Sequence, residues 1–238
     1  MIKVTVFNEF RHEKKDQKAK DIYPNGIHSA LKEALECDEI LIKTVTLDDE
    51  NCGITDELLE DTDVMLWWGH LAHHEVPDEI AQKVKEAVLR GMGMVFLHSA
   101  HHSKPFKMLM GTSCNLTWRE NGDRELLWVC NPAHPIAKGI DRFIHIEHEE
   151  TYGEPFGIPE PDELIFIANF EGGEVMRGGC CWRKENGKVF YFQPGHETFP
   201  IYYNKDVIKV IKNAINWAKP SYRVKELICP NVQKPLED

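Results

Sequence analysis

Histidine side chains are concentrated in four short segments of the sequence, and this pattern points to metal binding or acid–base chemistry. The segments hold nine of the 12 histidines, namely His70, His73, His74, His98, His101, His102, His145, His148 and His196. Imidazole is a common ligand of zinc and other transition metals, and it also titrates near neutral pH. A His-x-x-His spacing begins at His70 and again at His98, so either segment predicts two rings on one side of a loop or first helical turn.

Carboxylates accompany one of these segments, because His148 is followed directly by Glu149 and Glu150. A catalytic zinc site commonly combines two or three histidines with a carboxylate and leaves one position open. Neither His-x-x-His segment is the His-Glu-x-x-His helix of metalloproteases. Two interpretations therefore remain: a metal site, which we favour, and acid–base catalysis by histidine without a metal.

The first half of the chain alternates apolar strands with amphipathic helices, which predicts a parallel sheet covered on both faces. Strands are predicted over 2–8, 40–47, 63–68 and 92–97, helices over 27–37 and 77–91, and a charged loop over 11–26. His70 and His98 follow the third and fourth of these strands. Ligands of open α/β sheets bind at the carboxyl ends of the strands, so the histidines are expected at the functional site.

The second half is strand-rich and ends in a helix. Strand-like segments are predicted over 115–119, 125–129, 143–146, 164–168, 175–182 and 188–192, with a hairpin turn at 185–188 and a helix over 207–218. The predicted fold is α/β, a doubly wound, mostly parallel, flavodoxin-like sheet with helices on both faces and β-rich additions. Residues 1–219 are assigned to one domain, and residues 220–238 to an irregular tail that packs on the domain or on a neighbouring subunit.

Composition argues against several classes of partner. The 28 basic and 39 acidic residues give a net charge of −11, which disfavours nucleic acid and anionic membranes. Residues 1–8 resemble a strand, and no apolar run approaches the roughly 18–20 residues of a membrane span, so a cytoplasmic location is expected. The seven cysteines lack Cys-x-x-Cys spacing, and Cys114, Cys180 and Cys181 are predicted to be reduced core residues.

The order of several short motifs resembles the ThuA, or trehalose-utilisation, family. The matching segments are Arg11-His12, Gly69-His70, Gly93–Ala100, His134–Gly139, Glu149–Tyr152 and Gly187–Glu197. The resemblance implies the fold of class I glutamine amidotransferases and a sugar or oxidised sugar as substrate. It also places His98 where an amidotransferase carries its cysteine nucleophile, and Gly195-His196-Glu197 at its catalytic histidine segment. Since a histidine forms no thioester, glutamine hydrolysis by the usual route is not expected.

The leading hypothesis is a metal-assisted hydrolase, lyase or isomerase that acts on a small sugar. The expected ligands of a divalent metal, with zinc as the first candidate, are His70, His101, His148 and His196. The expected catalytic residues are His98, His196, Glu149 and Glu150, and the expected substrate-binding residues are Arg11, His12, Tyr152 and Glu197. Aromatic faces for sugar stacking are offered by Trp67, Trp68, Trp118 and Tyr152, although tryptophans within strands more often belong to the core.

Two alternatives belong to other classes. One is a non-catalytic sugar-binding or regulatory module, which has no need of converging histidines and paired carboxylates. The other is a metal-free hydrolase. Ser99 is placed like the nucleophile of a strand-to-helix elbow, but the glycines of Gly-x-Ser-x-Gly are missing. Exposed edge strands and the tail also make a homo-oligomer an expectation.

Overall fold

A single sheet of nine strands runs through the part of the chain that the computed structural model describes, residues 1–235 and 237. The strands are β1 (Ile2–Asn8), β2 (Ile40–Thr46), β3 (Val64–Trp68), β4 (Gly93–Leu97), β5 (Thr117–Val129), β6 (Phe143–Gly153), β7 (Glu163–Phe170), β8 (Val175–Lys184) and β9 (Gly187–Phe192). Their order is β2-β1-β3-β4-β9-β8-β7-β5-β6. The first five in this order are parallel and the rest antiparallel, so the β-rich additions extend the same sheet.

Seven helices connect and cover these strands within the described residues. They are α1 (His12–Lys15), α2 (Gln17–Ile22), α3 (Ile27–Leu35), α4 (Asp56–Asp61), α5 (Asp78–Leu89), α6 (Lys104–Met110) and α7 (Lys205–Ala218). The loop predicted over 11–26 is wrong in part, since it contains α1 and α2. The Asp16 carboxylate accepts the Ala19 N–H at 2.9 Å and caps α2. Because the segment is highly charged, this capping residue does not stand out in the sequence.

The central strands β3 and β4 are buried along their whole length, which explains their continuous apolar sequence. Helix α7 packs closely on β4 because Gly93 has no side chain, since a Cβ atom there would lie 2.5 Å from the Ala218 carbonyl oxygen. Trp67 and Trp68 are fully buried in this core, and neither offers a face to a sugar. Cys114, Cys180 and Cys181 are buried and free, as predicted.

Strands β5 and β6 are longer than the sequence pattern suggests. The two segments predicted over 115–119 and 125–129 form one strand, and β6 continues past Ile146 to Gly153. Between the paired residues Glu125–Ile146 and Asp123–Glu149, β6 contains one more residue than β5. This irregularity is a bulge, and it sets which side chains of β6 face the site.

The start of the tail packs on the domain. The Arg223 guanidinium donates to the carbonyl oxygens of Leu59, Glu60 and Thr62 at 2.9, 3.1 and 2.9 Å. These carbonyls lie at the end of α4 and just before β3, whereas His70 follows the carboxyl end of β3. In the part of the chain that the structure describes, no helix has the length and apolar character needed to cross a membrane.

Candidate functional site

Three histidine rings meet at the carboxyl ends of adjacent parallel strands. His70 follows β3, His98 follows β4 and His196 lies shortly after β9. The ring centres are 5.7 Å apart for His70–His98, 5.2 Å for His70–His196 and 5.4 Å for His98–His196, and each pair is edge-to-face. The three imidazoles therefore form a nearly equilateral triangle, and each corner is supplied by a different strand.

The Nδ1 atom of each ring has a partner that holds the ring in place. The contacts are His70 Nδ1 to Glu197 Oε1 at 2.7 Å, His98 Nδ1 to the Gln193 carbonyl oxygen at 3.1 Å, and His196 Nδ1 to Thr198 Oγ1 at 2.9 Å. A carboxylate or carbonyl that accepts one ring N–H fixes the tautomer and orientation of a metal-binding histidine. The Thr198 amide also donates to His196 Nδ1 at 3.2 Å, which favours the Nε2–H tautomer of this one ring.

The triangle has the dimensions of a three-histidine metal site. Three imidazoles bound to a tetrahedral ion at about 2.0–2.1 Å place their ring centres roughly 5 Å apart. One ligand atom from each of His70, His98, His196 and Glu197 lies within 4.8 Å of the others. Since Glu197 Oε1 contacts His70 Nδ1, we assign Glu197 as the group that orients His70 rather than as a ligand.

Glu150 lies beside two of the three rings. Its Oε2 atom is 3.1 Å from His98 Nε2 and 4.0 Å from His196 Nε2. Burial raises the pKa of Glu150, but His98 outweighs this and holds it below its usual value. Conversely, burial lowers the pKa of His98, whereas Glu150 and Glu149 together raise it above its usual value. These two side chains form a buried ion pair at the mouth of the triangle.

The other two rings are neutral, as metal ligands must be. Burial, together with the neighbouring His98, lowers the pKa of His70 to about 3. The same two causes hold the pKa of His196 far below its usual value. Within the described residues, the buried atoms His196 Nε2 and Glu150 Oε2 make no hydrogen bond of good geometry, so both are open to a ligand.

A cavity of about 580 Å³ opens beside the triangle, and His70 is the member of the triangle that lines it. Its other lining residues include His12, His73, Ser99, His101, His102, Asn115, Trp118, Glu150 and Tyr152. Trp118 is 66% exposed, so its ring is accessible as an aromatic face. Several predicted site residues therefore do meet in one pocket.

Tyr152 and Ser99 supply hydroxyl groups beside His98. The Tyr152 ring stacks on the His98 ring with centres 5.1 Å apart, and its hydroxyl is 3.4 Å from His98 Nε2. The Ser99 hydroxyl bonds to the Tyr152 hydroxyl rather than to a histidine. Ser99 consequently lacks the adjacent base of an activated serine nucleophile.

Glu149 has a different environment from the one predicted for a catalytic acid or base. Its carboxylate accepts backbone N–H groups from Glu150, Gly195 and His196 at 2.9, 2.7 and 3.1 Å. Burial raises the pKa of Glu149 to about 7. These bonds hold the turn that carries His196, so Glu149 contacts the backbone of this turn rather than a histidine ring.

Arg11 does not line the cavity. Its guanidinium forms ion pairs with Asp48 at 2.9 Å and with Glu75 at 2.8 Å, and these pairs join three surface loops beside the site. His12, in contrast, lines the cavity, and its Nδ1 contacts the buried carboxylate of Glu197. The structure therefore brings only the second residue of this predicted pair to the site.

His101 and His148 lie apart from the triangle, although both were expected as metal ligands. His101 is buried and lines the cavity. Its Nδ1 donates to the Cys114 carbonyl oxygen at 2.8 Å. His148 Nδ1 donates to the Gly122 carbonyl oxygen at 2.8 Å on the exposed side of β6. His74 is exposed as well, so the ligand set the structure favours is His70, His98 and His196.

His98 occupies a sharp turn directly after β4. Its φ angle is +53°, in the left-handed region that non-glycine residues rarely adopt. Such strain is typical of functional turns, and here it aims an imidazole from the sheet edge towards Glu150. The elbow position predicted for His98 is therefore present in the backbone geometry.

Gly195 allows the turn before His196 to pack against this elbow. Its φ is +153°, and a Cβ atom there would lie 2.2 Å from the Tyr202 hydroxyl and 2.9 Å from His98 Cβ. We expect Gly195→Ala to destabilise folding by more than about 2 kcal/mol in urea unfolding, since overpacking and strain each cost about 1–3 kcal/mol. Gly173→Ala is the control, because φ is +97° there and nothing lies within 4 Å. Equal losses for both variants would contradict the packing argument.

Three features together define a class of protein: the strand order, the strained elbow after β4 and the histidine segment after β9. They define an amidotransferase-like α/β protein whose elbow carries histidine in place of a nucleophilic thiol. The profile of the ThuA family, described as trehalose utilisation, matches residues 3–218. The chain belongs to this ThuA family.

Solved structures support the same fold. A ThuA-like protein from Parabacteroides merdae has a TM-score of 0.68 at 15% identity, with 94% of this chain and 92% of that chain covered. A cytoplasmic protein from Salmonella typhimurium has a TM-score of 0.61 at 11% identity, covering 92% and 100%. A glutamine amidotransferase from Thermotoga maritima has a TM-score of 0.55 at 10% identity, covering 91% and 97%. No curated protein sequence matches significantly.

Sequence reasoning missed three residues that position the triangle. Gln193 and Thr198 hold rings through Nδ1, and Glu9 holds the backbone of the His70 loop. Glu9 directly follows β1, so its place at a strand end was the one available signal. Its partners are more than 60 residues away in the sequence, and nothing local indicates them.

Proposed function

We propose that the chain is an enzyme that acts on a small carbohydrate with the help of a divalent cation. The observation that carries this proposal is the triangle of His70, His98 and His196 with Glu150 beside His98. Membership of the trehalose-utilisation family supports a sugar as the substrate class. Zinc is the first candidate, since three imidazoles with one open position suit its catalytic geometry once His98 has given up its proton.

A cation held by the three Nε2 atoms would polarise a substrate oxygen or lower the pKa of a water molecule. Glu150, adjacent to that position, accepts or returns the proton that the reaction moves. The hydroxyls of Tyr152 and Ser99 offer hydrogen bonds to sugar hydroxyls beside His98. On binding a cation, His98 would release its Nε2 proton, which Glu150, 3.1 Å away, is placed to take. His196 would then carry its ring proton on Nδ1, and the Thr198 hydroxyl, 2.9 Å away, is placed to accept the hydrogen bond from it.

The cation is tested by elemental analysis of protein purified without an affinity tag, followed by titration of the stripped protein with Zn²⁺ and Co²⁺. We expect one equivalent of cation per chain and loss of sugar turnover after stripping, restored by the added ion. Tetrahedral cobalt bound to histidine nitrogens gives a visible absorption band that reports the site directly. Absence of stoichiometric binding, with no change in thermal stability, would reject the metal-assisted mechanism.

A metal-free acid–base enzyme is the second candidate, and the His98–Glu150 ion pair favours it. The two groups lie 3.1 Å apart with opposite charges. His98 Nε2–H could then act as the general acid, and Glu150 as the general base. Full turnover by the stripped protein in the presence of a chelator would select this mechanism. Saturable sugar binding without any turnover would instead indicate a binding module.

Trp118 is expected to contribute to sugar affinity through stacking on its exposed ring. Trp118→Ala should raise KM roughly 2- to 10-fold with little change in kcat, since such contacts contribute about 0.5–1.5 kcal/mol. Stability should stay unchanged because the side chain is mostly outside the core. Tyr222→Ala serves as the control, since Tyr222 is 75% exposed in the tail. An unchanged KM in the Trp118 variant would place the sugar elsewhere in the cavity.

A further inference from the structure

We propose that Glu9 is a positioning residue of the site, an internal anion that fixes both the His70 backbone and the His73 ring. Glu9 directly follows β1 and its side chain is 1% exposed. The effect on catalysis rests on the proposed function, whereas the effect on the structure of the loop does not. Two groups of contacts, one for each carboxylate oxygen, carry the inference.

The first carboxylate oxygen fills a backbone nest. Glu9 Oε2 accepts the N–H groups of His70, Leu71 and Ala72 at 2.8, 2.9 and 2.8 Å. Successive amides that converge on one point form an anion-binding concavity. Here the chain supplies its own anion, and the loop after β3 is thereby held in the conformation that presents His70.

The second carboxylate oxygen contacts another histidine. Glu9 Oε1 lies 2.9 Å from His73 Nδ1, an ion-pair contact without good hydrogen-bond geometry, and the His73 side chain lines the cavity. A carboxylate beside Nδ1 favours a proton on that nitrogen and leaves Nε2 available. Burial raises the pKa of Glu9, but His73 and the backbone amides lower it below its usual value, so the group is ionised.

Glycine at residue 69 leaves room for this carboxylate because it has no side chain. A Cβ atom at residue 69 would lie 2.6 Å from Glu9 Oε1 and 2.9 Å from Glu9 Cδ. No positive φ is involved, so the need for glycine here is steric. The glycine of the Gly69-His70 pair after β3 is thus explained by the carboxylate of Glu9, 60 residues upstream.

The role of Glu9 differs from that of Glu197. Glu197 contacts the His70 ring, whereas Glu9 holds the three backbone amides of the loop that carries it. Loss of an orienting partner typically costs 10- to 100-fold in metal affinity. We therefore expect Glu9→Ala to weaken Co²⁺ binding about 10- to 100-fold while leaving all three ring ligands in the chain.

Formate provides the decisive test, because it matches the carboxylate that Glu9→Ala removes. Millimolar formate should raise the thermal stability of Glu9→Ala and restore most of its Co²⁺ affinity and turnover, with no effect on the wild type. Glu125→Ala is the matched control: Glu125 is fully buried, yet its oxygens have no hydrogen-bond partner among the described residues. Formate should leave that variant unchanged. A folded Glu9→Ala that has wild-type properties, or that ignores formate, overturns the proposal.

Two further variants separate the two oxygens and guard against misfolding. Glu9→Gln keeps an acceptor for the backbone nest, so ¹H–¹⁵N spectra of the histidine rings should change for His73 and not for His70. Gly69→Ala displaces the carboxylate without removing it, and it should weaken Co²⁺ binding without formate rescue. The ring spectra need no metal, so they decide the role of Glu9 even if the wild type binds no cation. An unchanged His73 spectrum in Glu9→Gln would refute the pairing.

Discussion

Replacement of His70 by alanine is expected to lower the affinity for Zn²⁺ or Co²⁺ at least about 100-fold and to reduce sugar turnover to background. The loss exceeds that of an orienting partner, about 10- to 100-fold, because the variant lacks one of three ligand nitrogens. Calorimetric titration of the stripped protein measures affinity, and the cobalt absorption band reports the coordination. Circular dichroism checks the fold, since the variant leaves the buried Glu197 carboxylate without its 2.7 Å partner.

The matched control is His74→Ala, four residues further along the same loop. His74 is exposed and does not line the cavity, so both cation affinity and turnover should match those of the wild type. If His70→Ala is folded and binds the cation as tightly as the wild type, the triangle is not the metal site. If both variants lose affinity equally, a general disturbance of the loop is the cause.

The parallel half of the fold was largely predictable from the sequence because its strands are short, apolar and followed by chemically distinctive residues. β1, β3 and β4 begin and end within one residue of their predicted bounds. The position of His98 at the end of a buried strand, together with the resemblance to amidotransferase-like proteins, placed it at the elbow. The backbone confirms that place through a φ of +53°.

The roles of the carboxylates were not predictable, because they depend on the length of β6. With β6 expected to end at Ile146, Glu149 and Glu150 belonged to one loop and had equivalent roles. The strand continues to Gly153, and successive side chains of a strand point to opposite faces. Glu150 therefore faces the histidines and Glu149 faces the backbone of the His196 turn.

His148 illustrates how a single bulge removes a residue from a site. In a regular strand, residues 148, 150 and 152 share a face, which would bring His148 beside Glu150 and Tyr152. The extra residue between Ile146 and Glu149 shifts this alternation, and His148 is exposed. Bulges depend on the partner strand, here β5 with a positive φ at Gly122. The sequence pattern of β6 alone therefore gave no sign that His148 lies apart from the other histidines.

Glu150→Gln is expected to lower kcat about 10²- to 10⁴-fold while KM stays within a few-fold of the wild type. The substitution preserves shape and removes the charge that lies 3.1 Å from His98 Nε2, so proton transfer is lost and sugar binding is kept. Steady-state kinetics on the sugar that the wild type turns over separates the two parameters. In single-turnover experiments the chemical step itself should slow, because that is the step in which Glu150 carries the proton.

Glu147→Gln provides the control for this variant, because it makes the same change on the same strand. Glu147 lies within the bulge with a side chain that is 76% exposed, and its loss should leave kcat unchanged. A normal kcat in Glu150→Gln would exclude this carboxylate as the proton carrier. Buried Glu197 already contacts both His12 and His70, so such a result would shift acid–base work to the histidine rings themselves.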